Sequence, residues 1–95
     1  MLSNEPGFYK AGHWGIRIEN LILVEKREIK NAERDMYGFE TLSYAPIDLN
    51  LVEPSLLTEN ERAWLNAYHA KTRAIVSPHC DAETLKWLET ATRAV

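Results

Sequence analysis

The sequence has a single cysteine, Cys80, among 95 residues. That excludes an intramolecular disulfide and a cysteine-based zinc site. It has no surplus of positive charge, since eleven Lys and Arg face fourteen Asp and Glu for a net charge of −3. Nucleic acid and anionic membrane surfaces require a basic face, so neither is expected as a partner. The longest apolar run, Leu21-Ile22-Leu23-Val24, falls far short of the roughly 20 residues that cross a bilayer. The N-terminus lacks the basic start and apolar stretch of a signal peptide, which makes the cytoplasm the expected compartment. There is no internal repeat and no low-complexity segment.

What remains is ordinary globular material: 45% hydrophobic and 26% charged residues, in a chain near the lower size limit for a self-sufficient core. Met1 to Glu5 read as strand residues with no polar lead-in, so the chain is expected to be a piece of a longer one. Ile16 to Ile29 reads as a strong strand, apolar on both faces and therefore expected to be covered on both sides. Residues 1–10 read as its hairpin partner, with Gly12 and Gly15 supplying turn freedom. Residues 30–36 form a charged connection, and Tyr37 to Ile47 is a third strand ended near Pro46. After a linker over 48–57, Thr58-Glu59-Asn60-Glu61 is a capping box that starts a helix running to about Val76. Its expected stripe is Trp64, Leu65, Tyr68, Thr72 and Ile75. Ser77-Pro78 stops it, and Asp81 caps a second helix that buries Leu85, Leu88, Ala91 and Val95. The expected fold is α+β: a three-stranded antiparallel sheet followed by two C-terminal helices.

Two carboxylates carry the functional interest. If 1–10 and 14–24 pair about Gly12, Glu5 stands opposite Glu19, because their numbers sum to twice twelve. Opposed side-chain roots lie roughly 4.5–5.5 Å apart, and like charges there destabilise a sheet. A shared proton, Arg17 or a cation would have to neutralise the pair. Oxygen ligands of this kind suit manganese, magnesium or zinc. The plainer reading is a solvated strand face on which Arg17, two residues from Glu19, acts as an ion-pair partner. Spacing alone leaves both open.

Several segments together resemble a known family. Ser-Asn-Glu-Pro-Gly-Phe-Tyr at 3–9, Gly-Ile-Arg-Ile-Glu-Asn at 15–20 and Gly-Phe-Glu-Thr-Leu at 38–42 resemble the end of Xaa-Pro aminopeptidases (the aminopeptidase P, pita-bread metallopeptidase family). So do Ala-Pro-Ile-Asp at 45–48, Leu-Leu-Thr-Glu at 56–59 and Trp-Leu-Asn-Ala-Tyr-His at 64–69. The resemblance implies a fragment of the pita-bread fold, with 1–30 closing the catalytic domain and 31–95 forming a C-terminal segment of one strand and two helices. It implies an enzyme with two divalent metals, manganese first and zinc or cobalt as alternatives, held by two Asp, one His and two Glu. Glu5 and Glu19 match the two glutamates, Arg17 the supporting arginine, and Glu5 also the group that moves a proton. The substrates implied are peptides with proline at the second position.

The same resemblance puts the Asp and His ligands, and the substrate-binding histidines, before position 1. These 95 residues alone are therefore expected to bind metal weakly and to be inactive. With apolar strands left uncovered, they are expected to self-associate as a homo-oligomer. The alternative is a stand-alone oligomerisation or protein-binding module built on the same fold remnant. A third possibility, half of a creatinase-like hydrolase, fits the C-terminal helical motifs less well. His13 receives no role, and His69 and His79 read as structural or solvated. Trp64, Trp87 and Tyr68 read as core or interface, Trp14 as a residue that could pack on a missing partner, and Cys80 as inert. The Glu25-Lys26-Arg27-Glu28 run reads as a solvated strand end.

Overall fold

A computed structural model describes residues 1–95, in two compact units, 1–43 and 44–95. The first unit is all strand: β1 (Leu2–Asn4), β2 (Gly7–Lys10), β3 (Trp14–Arg17), β4 (Asn20–Arg27) and β5 (Met36–Thr41). They form a three-stranded antiparallel sheet in the order β1-β4-β5 and a separate two-stranded ribbon, β2-β3. The expected three-stranded sheet is present, but each arm of its hairpin is interrupted.

The ribbon turns through Ala11–His13, where Gly12 takes φ +72° and the His13 N–H closes on the Lys10 carbonyl at 3.0 Å. A left-handed residue in a tight loop is the place for glycine. Gly15 does not serve the turn. It lies in β3 opposite Tyr9, and a Cβ there would come within 2.5 Å of Tyr9 Cδ1. Its smallness gives the Tyr9 ring a bed. On the other face Phe8 and Trp14 meet diagonally, ring centroids 5.3 Å apart.

β4 pairs with β5 from Ile22↔Thr41 to Arg27↔Met36. The expected strand from Tyr37 to Ile47 stops at Thr41, because side chains take over the rungs. The Leu42 N–H still reaches Leu21 O, but the Leu21 N–H donates to Ser43 Oγ at 2.8 Å, and Asn20 Nδ2 to Ser43 O at 3.1 Å. The expected burial of the long strand on both sides is not found. Leu21, Leu23 and Val24 are exposed, as are Ile18, Tyr37 and Phe39. The cause is architectural, since this unit contains strands only and no layer to lie on them. Its charged end does pair in solvent, through Arg27–Glu25 and Lys26–Asp35.

The second unit holds α1 (Glu59–Val76) and α2 (Ala82–Ala91), with single turns of tighter helix at Leu49–Leu51, Pro54–Leu56 and Ser77–His79. The capping box forms as expected: Glu61 N–H donates to Thr58 Oγ1 at 3.2 Å and Thr58 N–H to Glu61 Oε2 at 2.9 Å. The bonds from Thr58, its amide first, hold the Glu61 carboxyl below its ordinary value. Asp81 caps α2 by accepting the Thr84 N–H at 2.7 Å.

The buried side of α1 is Leu65, Tyr68, His69 and Thr72, one position round from the stripe expected; Trp64 and Ile75 are exposed. Two threonines of this core find hydrogen-bond partners. Thr72 donates to the Tyr68 carbonyl at 2.9 Å, and buried Thr92 receives Arg73 on its hydroxyl and its carbonyl. Leu88 is 1% exposed and anchors α2. Asn66 exchanges two bonds with the Val95 backbone and ties the last residue to α1.

Leu88→Ala should lower stability by about 2–5 kcal/mol, the cost of truncating a fully buried leucine. Leu56→Ala, at 81% exposure, should change it by no more than about 0.5 kcal/mol. Urea unfolding followed by circular dichroism measures both.

Candidate functional site: a carboxylate pair in a broken ladder

The site begins with Pro6. Proline has no N–H to give a neighbouring strand. At the Pro6–Ile18 position an antiparallel pair would exchange two bonds, and only one survives, Ile18 N–H to Pro6 O at 3.2 Å. The ladder opens there, between β1 and β2 on one arm and between β3 and β4 on the other.

The opening does not shift the register. Below it Leu2 pairs with Ile22, Ser3 with Leu21 and Asn4 with Asn20; above it Gly7 pairs with Arg17 and Phe8 with Ile16. Every pair keeps the same sum, so Glu5 and Glu19 are the residues that face each other across the gap. Glu19 is joined to Arg17, Nε to Oε2, at 3.3 Å, with both side chains about half exposed. Glu5 is exposed as well.

The geometry thus separates two arguments made from sequence. Opposition of the carboxylates holds in the register. Burial as the force that requires their neutralisation does not, because both are open to solvent within these 95 residues. The Arg17–Glu19 ion pair accounts for one negative charge and leaves Glu5 facing it. No group of three or more His, Cys, Asp or Glu that could hold a metal ion is present. Two hard oxygen donors fit a divalent cation as contributed ligands, and the set is short of a complete site.

Tyr9 is the neighbour that sequence reasoning missed. Its hydroxyl lies over Gly7, within 2.6 Å of where a Cβ would stand, and Gly7 pairs with Arg17. The signal was available: two glycines and one tyrosine at alternate positions of a hairpin leave the ring nowhere else to lie. The three histidines lie on other elements. His13 is in the turn, His79 is exposed in the short turn after α1, and His69 is fully buried in the second unit. Trp87, expected as core or interface, is 60% exposed. No helix is long and apolar enough to cross a membrane.

Residues 35–95 match the family described as "C-terminal region of peptidase_M24", and the chain belongs to that family. It is 41% identical to the "Probable Xaa-Pro aminopeptidase P" of Arthroderma otae over 99 aligned positions, covering 100% of this chain and 16% of that protein. The protein of the same name from Talaromyces marneffei is 43% identical, with 98% and 15% covered. Among solved structures, the X-prolyl aminopeptidase of Caenorhabditis elegans, described as a cytosolic enzyme with a di-nuclear active site, superposes with a TM-score of 0.87. It is 35% identical over 98% of this chain and 16% of its own. The three-stranded antiparallel sheet and two helices are accordingly a part of that enzyme's fold. The chain spans about a sixth of the length of these relatives.

If the opposed carboxylates repel, Glu5→Gln should raise the unfolding temperature of the metal-free chain slightly, by the equivalent of less than about 1 kcal/mol. Added Mn²⁺ should raise the midpoint of the parent chain and not that of E5Q. Thermal melts with and without the metal report both effects.

Proposed function

We propose that this chain is the C-terminal part of a dinuclear metallo-aminopeptidase that releases an N-terminal residue preceding proline, and that these 95 residues are inactive by themselves. The observation that carries the reading is the superposition on an X-prolyl aminopeptidase along nearly the whole chain, at 35% identity. The carboxylate pair supports it, since Glu5 and Glu19 fall opposite each other when the register on either side of the gap is counted through it.

In this reading residues 1–30 close the catalytic domain and 31–95 form the C-terminal segment. Glu5 and Glu19 would hold two divalent ions, with manganese preferred over zinc or cobalt. Such ions acidify water and polarise a carbonyl at neutral pH. Arg17 orients the Glu19 carboxylate through their ion pair and tempers the repulsion between the two glutamates. Glu5 is also the group that would take and return a proton. The substrates are peptides with proline second, and the compartment is the cytoplasm, as described for the structural relative.

Calorimetric titration of the 95-residue chain with Mn²⁺ should show weak binding, with a Kd above roughly 0.1 mM, as for oxygen sites with few charged ligands. E5Q and E19Q should each abolish it, and an X-Pro tripeptide should remain uncut. In a longer protein that contains this sequence, the same substitutions should cost more than the roughly 10–100-fold expected of an outer-shell change. Turnover by the 95 residues alone, or full activity of E5Q in the longer protein, would overturn the assignment.

One observation favours self-association as well. Tyr37 and Phe39 are 63% exposed, and Val24, which pairs with Phe39, is uncovered as well. Large exposed apolar residues on a sheet with open edges promote assembly. Sedimentation at tens of micromolar should show a homo-oligomer; a monomer there would refute this part.

A further inference from the structure

The second unit holds its entering segment by side chains. Residues 45–47 are held on α1 by two consecutive side chains. Tyr68 grips Ala45 twice: its hydroxyl accepts the Ala45 N–H at 3.1 Å and donates to the Ala45 carbonyl at 2.8 Å. Next to it, His69 Nε2 accepts the Ile47 N–H at 2.9 Å. The His69 ring is 0% exposed, and its Nδ1 is buried without a hydrogen-bond partner.

We infer that His69 is an acid-sensitive latch: neutral, it holds Ile47 on α1, and when the ring is protonated it lets Ile47 go while the helices stay folded. The tautomer follows from the geometry. Nε2 accepts a bond, so the single proton of the neutral ring is on Nδ1. A second proton must enter at Nε2. There it turns the acceptor into a donor that faces another donor, and it places a charge in a buried position.

The surroundings offer that charge no counter-ion. On α1 the neutral Tyr68 ring lies beside it, 5.9 Å between centroids, and the charge that acts on it is Arg73, one turn on, bound to Thr92; the C-terminal segment brings Arg93, whose side chain bonds the Thr90 carbonyl. Both are cations. Ala45, Pro46 and Ile47 carry no charge, and the following carboxylate, Asp48, already accepts the Asn50 N–H. Burial first, with the Arg73 charge behind it, holds the ring below its ordinary 6.5, and the Arg93 backbone opposes this in part.

The sign of the pH effect follows from linkage. With Ile47 held, the ring titrates below 6.5; with Ile47 released and the ring wet, it titrates near 6.5. The released state therefore binds more protons, and falling pH favours it. Tyr68 holds Ala45 through its hydroxyl and not through the His69 ring, so the opening is confined to the Ile47 end.

The test is amide hydrogen exchange of the 95-residue chain by NMR at pH 7 and pH 5, corrected for intrinsic rates. Ile47 should be protected at pH 7 and lose roughly tenfold of that protection by pH 5, the order of one pH unit of linkage. The Leu65 and Leu88 amides, inside the helices, should keep theirs. The His69 ring resonance should titrate below the ordinary histidine value of 6.5. His69→Gln, which retains an acceptor and does not titrate, should make Ile47 protection independent of pH. An Ile47 amide unprotected at pH 7, protection unchanged at pH 5, or loss shared equally with Leu65 and Leu88 would each overturn the latch. Because the wild-type readings decide the matter, the outcome does not depend on the variant folding.

Discussion

The constraint on which the N-terminal unit depends is the register set at Gly12. Strand pairing has a side-chain period of two, so a slip of one residue would send every side chain to the opposite face. The three-residue turn fixes the first pair, Lys10 with Trp14. The ladder then carries the count past a proline that cannot make its rung and into a second sheet with no slip. Everything of functional interest in this unit depends on that continuity. Glu5 meets Glu19 only because the count survives the gap, and Tyr9 finds its glycine bed only because Gly15 stands opposite.

A broken ladder suits such a site. Inside a continuous sheet the backbone groups beside the glutamates would all be engaged, and both side chains would stand out at fixed pleat positions. With one bond remaining between Pro6 and Ile18, the arms are held at the correct spacing while the chain around Glu5 and Glu19 is free of ladder geometry. The cost is a weaker hairpin, partly recovered by the Phe8–Trp14 contact and the Arg17–Glu19 ion pair, neither large for exposed groups.

Features that rest on local rules were legible in the sequence. Thr58 with Glu61, Asp81 before α2 and the stop at Ser77-Pro78 need only neighbours in the chain, and each lies where the reading placed it. The register at Gly12 was legible for the same reason. The interruption at Pro6 was missed although its cause, a missing N–H, was in plain sight. The end of the third strand at Thr41 depends on Ser43 and Asn20 side chains, about twenty residues apart, and no local pattern announces it. Burial misled most. An apolar strand signals that something covers it, but not whether the cover lies within these residues. On α1, hydrophobicity pointed to Trp64, whereas half of the buried stripe is polar: His69 and Thr72 enter the core because each has a backbone partner there.

That polar half of the core gives the C-terminal unit its specificity. Leu65 and Leu88 would pack against any apolar surface, since the hydrophobic effect has no direction. Tyr68 and His69 instead accept particular backbone N–H groups, Ala45 and Ile47, and so select one path for the segment entering α1. Arg73 makes the same kind of choice at the other end by binding both the hydroxyl and the carbonyl of Thr92, and Asn66 does so with Val95. A buried donor or acceptor left unmatched costs more than a matched one contributes. These bonds therefore exclude alternative packings more than they strengthen the one observed. In a unit with only two regular helices, whose apolar core is Leu49, Leu65, Tyr68 and Leu88, that exclusion is what turns a marginal hydrophobic cluster into a defined structure.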